Sequence, residues 1–78
     1  MPKHYTHIDG FLFTIEYPVF IKGMYKIYWD GVWIGYVYYR LDGSPPPNRI
    51  WLATTDYTQL YLSQLSKFID ALDTNKLQ

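Results

Sequence analysis

Polar and apolar positions alternate along most of this chain. In residues 11–17, Phe11, Phe13, Ile15 and Tyr17 fall on one side and Leu12, Thr14 and Glu16 on the other. That period of two predicts a half-buried strand. Pro18 ends it, because proline has no N–H to give to a ladder. Val19, Phe20 and Ile21 are apolar again; they either extend the strand past a kink or form a packed loop. Two further alternating runs, 25–29 and 32–40, meet at Asp30-Gly31. Asp-Gly between such runs predicts a hairpin, since both turn residues accept positive φ. A two-residue turn pairs Trp29 with Val32, Tyr28 with Trp33, Ile27 with Ile34 and Lys26 with Gly35. One face then carries Tyr25, Ile27, Trp29, Val32, Ile34, Tyr36 and Tyr38, the better core face. The other carries Met24, Lys26, Tyr28, Trp33, Gly35, Val37 and Tyr39. A bulge would slip the register and exchange the two sets.

Residues 41–48 read as a loop, opened by Asp42-Gly43 and stiffened by Pro45, Pro46 and Pro47. Residues 49–54 alternate once more, with Ile50 and Leu52 against Trp51 and Ala53. A helix follows. Asp56 with Gln59 three residues on predicts a capping box. Tyr61, Leu62, Leu65, Phe68, Ile69 and Leu72 then form an apolar stripe at helical spacing, while Gln59, Ser63, Ser66, Lys67 and Asp70 point away. The helix is expected over 57–72. Residues 1–9, with His4, His7, Asp9 and little apolar content, read as a flexible N-terminal arm, loose or lying along an edge; residues 74–78 read as a polar tail. The expected fold is α+β: an antiparallel sheet of three to four strands with one C-terminal helix on one face, in the order β-β-β-β-α, forming one domain over 10–73. Sheet face and helix stripe each need cover, and each can cover the other.

Composition sharpens this picture. A chain of 78 residues buries only about 60% of the surface its unfolded form exposes. It has no cysteine, so neither disulfides nor thiolate metal sites can assist. Packing must carry the stability, and 21% aromatic content suits that. Seven basic and seven acidic residues cancel and are scattered singly. No basic run is present to neutralise phosphates and no acidic run to imitate them, which argues against a conventional nucleic-acid binder. The N-terminal residues lack the apolar segment of a signal peptide, and no apolar stretch is long enough to span a bilayer. The cytoplasm is the expected compartment, with no membrane association.

Candidate chemistry is sparse. His4 and His7 with Asp9 could bind zinc or nickel only if a defined element brought them together. Ser44, Ser63 and Ser66 have no neighbouring base, and Asp30, Asp42 and Asp56 have turn or capping roles to fill. No catalytic residue, metal site or cofactor is expected. Residues 44–47 read as a stiff connection ahead of a polyproline ligand. The signal that stands out is the aromatic surplus. Tyr28, Trp33 and Tyr39 fall on the face assigned away from the helix, with Lys26 beside them. Tyrosine and tryptophan are enriched at the energetic centres of protein interfaces.

Within residues 33–65, Trp33-Ile34-Gly35-Tyr36-Val37, a Gly-containing turn, Arg49-Ile50-Trp51-Leu52-Ala53-Thr54-Thr55-Asp56 and a helix are similar to the plant ethylene-response-factor DNA-binding domain. The arm-binding domains of tyrosine integrases have a related arrangement. The resemblance covers less than half the chain and implies a three-stranded sheet on one helix. That family reads DNA with arginines and tryptophans on its sheet. Here the corresponding strand offers Tyr25, Ile27, Tyr28 and Trp29 with only Lys26, so the resemblance implies topology and not DNA contacts.

The function expected from the residues is a small non-enzymatic protein-binding module. It acts by stoichiometric contact through Tyr28, Trp33, Tyr39 and Lys26, as a phage-type inhibitor of the anti-defence or anti-CRISPR kind, or as an adaptor. A homodimer through the same face or an edge strand is a second use of the surface. The alternative is single-stranded nucleic-acid binding by base stacking on the same aromatics.

Overall fold

The computed structural model describes residues 3–17, 23–43, 45 and 47–76. Five strands form one antiparallel sheet in chain order: β1 (Lys3–Ile8), β2 (Phe11–Glu16), β3 (Met24–Trp29), β4 (Val32–Asp42) and β5 (Asn48–Ala53). Two helices follow, α1 (Asp56–Leu60) and α2 (Leu62–Lys76). The fold is α+β with an antiparallel sheet, as the alternation predicts, but with one strand more and with the helix in two pieces. Residues 18–22, whose strand or loop character the sequence leaves open, lie outside the described residues.

The additional strand is the expected arm. Lys3–Ile8 pairs with β2 over six positions, from Lys3 opposite Glu16 to Ile8 opposite Phe11. The connection is a second Asp-Gly turn, Asp9 (φ 54°) and Gly10 (φ 83°), alike in conformation to Asp30 (φ 50°) and Gly31 (φ 82°). Positive φ at both residues is the geometry that matches the twist of two-residue hairpins. The strand hides in the sequence because polar residues fill both its faces: His4 and Thr6 precede Ile8 on one, and Lys3, Tyr5 and His7 occupy the other.

The central hairpin begins as predicted, with Trp29 opposite Val32 and Tyr28 opposite Trp33. The register then shifts. Ile34 is the extra residue of a β-bulge, and Ile27 pairs with Gly35, Lys26 with Tyr36, Tyr25 with Val37 and Met24 with Tyr38. Because side chains alternate, one inserted residue exchanges the two faces of β4 beyond it. Val37 turns inward and is fully buried, Tyr39 packs against the core, and Tyr36 and Tyr38 turn outward beside Lys26 and Met24.

Both helices lie on the face bearing Phe13, Ile15, Tyr25, Ile27 and Val37, whose core is closed by Tyr61, Leu65 and Ile69. Each large apolar side chain fully buried there contributes about 1.5–3 kcal/mol relative to exposure. The stripe expected of the helix is therefore in place, with Leu62 and Phe68 packed at its margins. The cap is one residue earlier than expected. Thr55 accepts from the Thr58 N–H at 3.2 Å, and the Thr58 hydroxyl accepts from the Thr55 N–H at 3.1 Å. Two threonines thus form the capping box, and Asp56 sits in the first turn, where its charge suits the helix dipole. Tyr61, at φ −105° and ψ 12°, separates α1 from α2. The second helix also runs through the expected polar tail as far as Lys76.

Asp70 does not point away. It accepts a 2.9 Å hydrogen bond from Arg49 and a 3.3 Å bond from the Trp51 indole of β5. Asp70 is a polar residue on the packed side of the helix because β5 presents it with an arginine and an indole N–H.

Candidate functional site

Cross-strand pairing sorts the other face of the sheet into rows. Tyr5, Thr14, Tyr28 and Trp33 form one row across β1–β4; Lys3, Glu16, Lys26 and Tyr36 form the next; Met24, Tyr38 and Leu52 a third. Arg40 and Ile50 pair beyond them. With strands about 4.8 Å apart, a four-strand row spans about 14 Å. Among the described residues neither helix covers this face: Tyr61, Asp70 and Asp73 all contact the opposite one, through Phe13, Trp51 and Tyr25. Tyr5 and Trp33 remain 60% and 53% exposed. Thr14 and Glu16 are nearly buried, flanked by the longer Tyr5 and Tyr28 and by Lys3 and Lys26. Lys3 reaches Glu16 at 3.7 Å.

Of the residues singled out from the sequence, Tyr28, Trp33 and Lys26 share this open face. Tyr39 does not. The bulge at Ile34 moves it to the helix-covered side, where its ring packs on Trp51 at 5.2 Å and carries the Arg49 guanidinium at 4.4 Å. Its place outside is taken by Tyr36, whose ring meets Trp33 edge-on at 5.7 Å, and by Tyr38. Tyr5 joins them because β1 is a strand. The signal for Tyr36 and Tyr38 was Gly35, an isolated glycine in a strand pattern, which marks bulges. His4 and His7 stand three apart on a strand and so project to opposite faces, His4 with Ile15 and His7 with Leu12; the strand does not bring them together as ligands.

A second feature adjoins the open face. At the hairpin end of the sheet, Phe11, Trp29, Val32, Trp33 and Tyr57 surround an open apolar cleft of about 810 Å³. Trp29 forms its floor, packed on the core, with Phe11 edge-on at 5.1 Å and Tyr57 at 6.0 Å. Asp30 and Asp56 are also among its lining residues, and both are exposed. Trp33 belongs to both cleft and open face.

On the covered side, Arg49 ties β5 to α2, donating to Asp70 at 2.9 Å and to Asp73 at 2.8 Å, while the Tyr25 hydroxyl donates to Asp73 at 3.4 Å. Burial tends to lower the Arg49 pKa, but the hydrogen bonds to Asp73 and Asp70 outweigh it and the net shift is upward. Burial, reinforced by the Asp73 charge, pushes the Tyr25 phenol well above its ordinary 10.0. A tyrosine raised in the folded state favours folding fully below the unfolded pKa, and that contribution is lost as pH climbs above it. The urea midpoint is therefore expected to fall between about pH 9 and pH 11, and less steeply in Tyr25→Phe. Equal slopes in the two proteins would show that Tyr25 is not so shifted.

The fold and the site together define a five-stranded antiparallel sheet with C-terminal helices on one face and tyrosine and tryptophan on the other. Comparison of the chain with protein-family models, with curated proteins and with solved structures gives no match.

Proposed function

We propose that this protein is a non-enzymatic binding module that engages a protein partner through the open aromatic face of its sheet. One observation carries the reading: Tyr5, Tyr28, Trp33, Tyr36 and Tyr38 share a face that neither helix covers among the described residues. Sheets with one wet face ordinarily place polar side chains there. An aromatic surface of this breadth on a small chain is a marker of association, and tyrosine and tryptophan supply large contact area with few rotors. Action is stoichiometric, by occupying a partner's surface, as a small phage-type inhibitor or an adaptor does. Lys26 stays in the proposed site, Tyr5, Tyr36 and Tyr38 join it, and Tyr39 leaves it.

The test is a double substitution, Tyr28→Ala with Trp33→Ala, assayed by affinity capture against wild type. Both side chains lie outside the core, so the variant is expected to unfold cooperatively near the wild-type temperature while losing the captured protein. Truncating central aromatic anchors costs about 2 kcal/mol or more each, roughly thirty-fold in affinity. A variant that loses cooperative folding would make these residues core and end the proposal.

Lys3, Lys26 and Arg40 on the same face favour one second reading, base stacking on a single strand. It predicts tryptophan quenching on titration with oligonucleotides at low salt, and a flat titration removes it.

A further inference from the structure

The cleft beside the open face has a chemistry of its own. Phe11, Trp33 and Tyr57 line it while remaining 41%, 53% and 59% exposed, a poor arrangement for side chains whose only task is packing. The half-buried Trp29 closes its floor. Asp30 and Asp56 are exposed lining residues, and no lysine, arginine or histidine is among the described lining residues. Among the described residues, the Asp30 carboxylate accepts one long hydrogen bond, 3.4 Å from the Leu12 N–H. Aromatic faces attract cations through the negative face of the ring, most strongly tryptophan, and the attraction grows as water is excluded. Two carboxylates beside such rings add charge complementarity of the same sign. A neutral apolar guest would draw on the rings and make no use of the negative charge beside them.

We propose that this cleft receives a cationic side chain, lysine or arginine, projecting from the polypeptide partner that lies across the open face. This rests on the protein-binding reading and names the chemistry that the partner brings to one end of it. Trp33 lines the cleft and also stands in the Tyr5–Tyr28–Trp33 row, so a segment crossing that row on the open face reaches the cleft by turning round Trp33 toward the helix side. The basic side chain would lay its methylenes along Phe11 and Tyr57 and bring its charged end to Asp30 and Asp56, the division of apolar stem and charged head that such side chains favour.

The probe is a capped Gly-Lys-Gly peptide, compared with its norleucine counterpart, which has a similar stem and no charge. Binding is followed by NMR at the indole N–H signals of Trp29 and Trp33 in the full chain, up to about 20 mM peptide, a range that reveals millimolar affinity. The lysine peptide is expected to shift both signals and to bind about ten-fold more tightly than the norleucine peptide. The pair Asp30→Asn and Asp56→Asn should abolish most of that preference; both residues are exposed, and asparagine accepts the positive φ of the turn. Trp33→Ala should weaken lysine binding in the same assay. Equal binding of the two peptides would overturn the proposal, as would unmoved indole signals or self-association of the chain through Trp33. The proposal then fails alone if a captured partner still depends on Tyr28, and the broader reading fails with it if that partner does not.

Discussion

Replacing Gly35 with alanine is expected to destabilise the protein by about 3 kcal/mol, the sum of positive-φ strain and steric overlap. Gly35 sits at φ 139° directly after the bulged Ile34. An alanine Cβ there would lie 2.9 Å from Thr54 Oγ1 and from Thr55 Oγ1 and Cγ2. Neither threonine is free to give way. Thr54 Oγ1 accepts from the Tyr36 N–H at 2.9 Å, and Thr55 donates to the Ile34 carbonyl at 2.7 Å while capping α1. Moving either one gives up a strand contact, and moving Thr55 gives up the helix cap as well, worth about 1 kcal/mol. Gly31 supplies the control. Its φ is also positive, at 82°, but an added Cβ meets nothing within 4 Å. Gly31→Ala should therefore cost the conformational strain alone, about 1 kcal/mol. Urea denaturation of the two variants measures the difference. Equal costs would mean that the threonines yield and that the bulge does not depend on them.

Phe13→Ala is expected to destabilise the fold severely, by about 3–5 kcal/mol. Phe13 is fully buried at the centre of the covered face, 4.8 Å from the Tyr61 ring and stacked at 6.0 Å on Trp29. Truncating a buried phenylalanine costs about 3–5 kcal/mol. A chain of 78 residues has about 4–12 kcal/mol in total, with no disulfide to constrain the unfolded state, so this one truncation removes from about a quarter to all of it. A sharp fall or loss of the cooperative thermal transition by circular dichroism is the measurement. The contrast with Tyr28→Ala and Trp33→Ala is the informative part. All three are aromatic residues of the sheet, and only the face each one occupies separates loss of stability from loss of binding.

The strands with apolar alternation were legible in the sequence. β2, β3, the first part of β4, β5 and the helix stripe all rest on apolar side chains that recur at the period of their element, and Asp30-Gly31 located the hairpin. β1 was not legible, because a strand at the edge of the sheet with polar residues on both faces carries no alternation signal. Only Asp9-Gly10, the same turn dipeptide, pointed to it. The faces of the candidate residues were only half legible for a related reason. Tyr28 and Trp33 precede the bulge and keep their predicted face. Tyr39 follows it and exchanges places with Tyr36 and Tyr38. Alternation propagates a register faithfully until one residue is inserted, and the insertion lies where Gly35 approaches Thr54 and Thr55, 19 and 20 positions further along the chain. The Arg49–Asp70–Asp73 arrangement was invisible for the same reason: it joins β5 to α2 only once the sheet and helix have packed.

The bulge also shapes the face on which the proposed binding rests. By turning Val37 and Tyr39 inward it completes the core, and by turning Tyr36 and Tyr38 outward it extends the Tyr28–Trp33 pair into a broad aromatic face. The direct measurement is hydroxyl-radical footprinting with mass spectrometry, on the purified protein alone and bound to the partner it captures. Tyr28, Trp33, Tyr36 and Tyr38 are expected to be oxidised readily in the free protein and protected in the complex, with the buried Tyr25 and Tyr61 slow in both. If Tyr28 and Trp33 are already protected in the free monomer, or stay equally reactive when the partner is bound, the open face is not the binding surface.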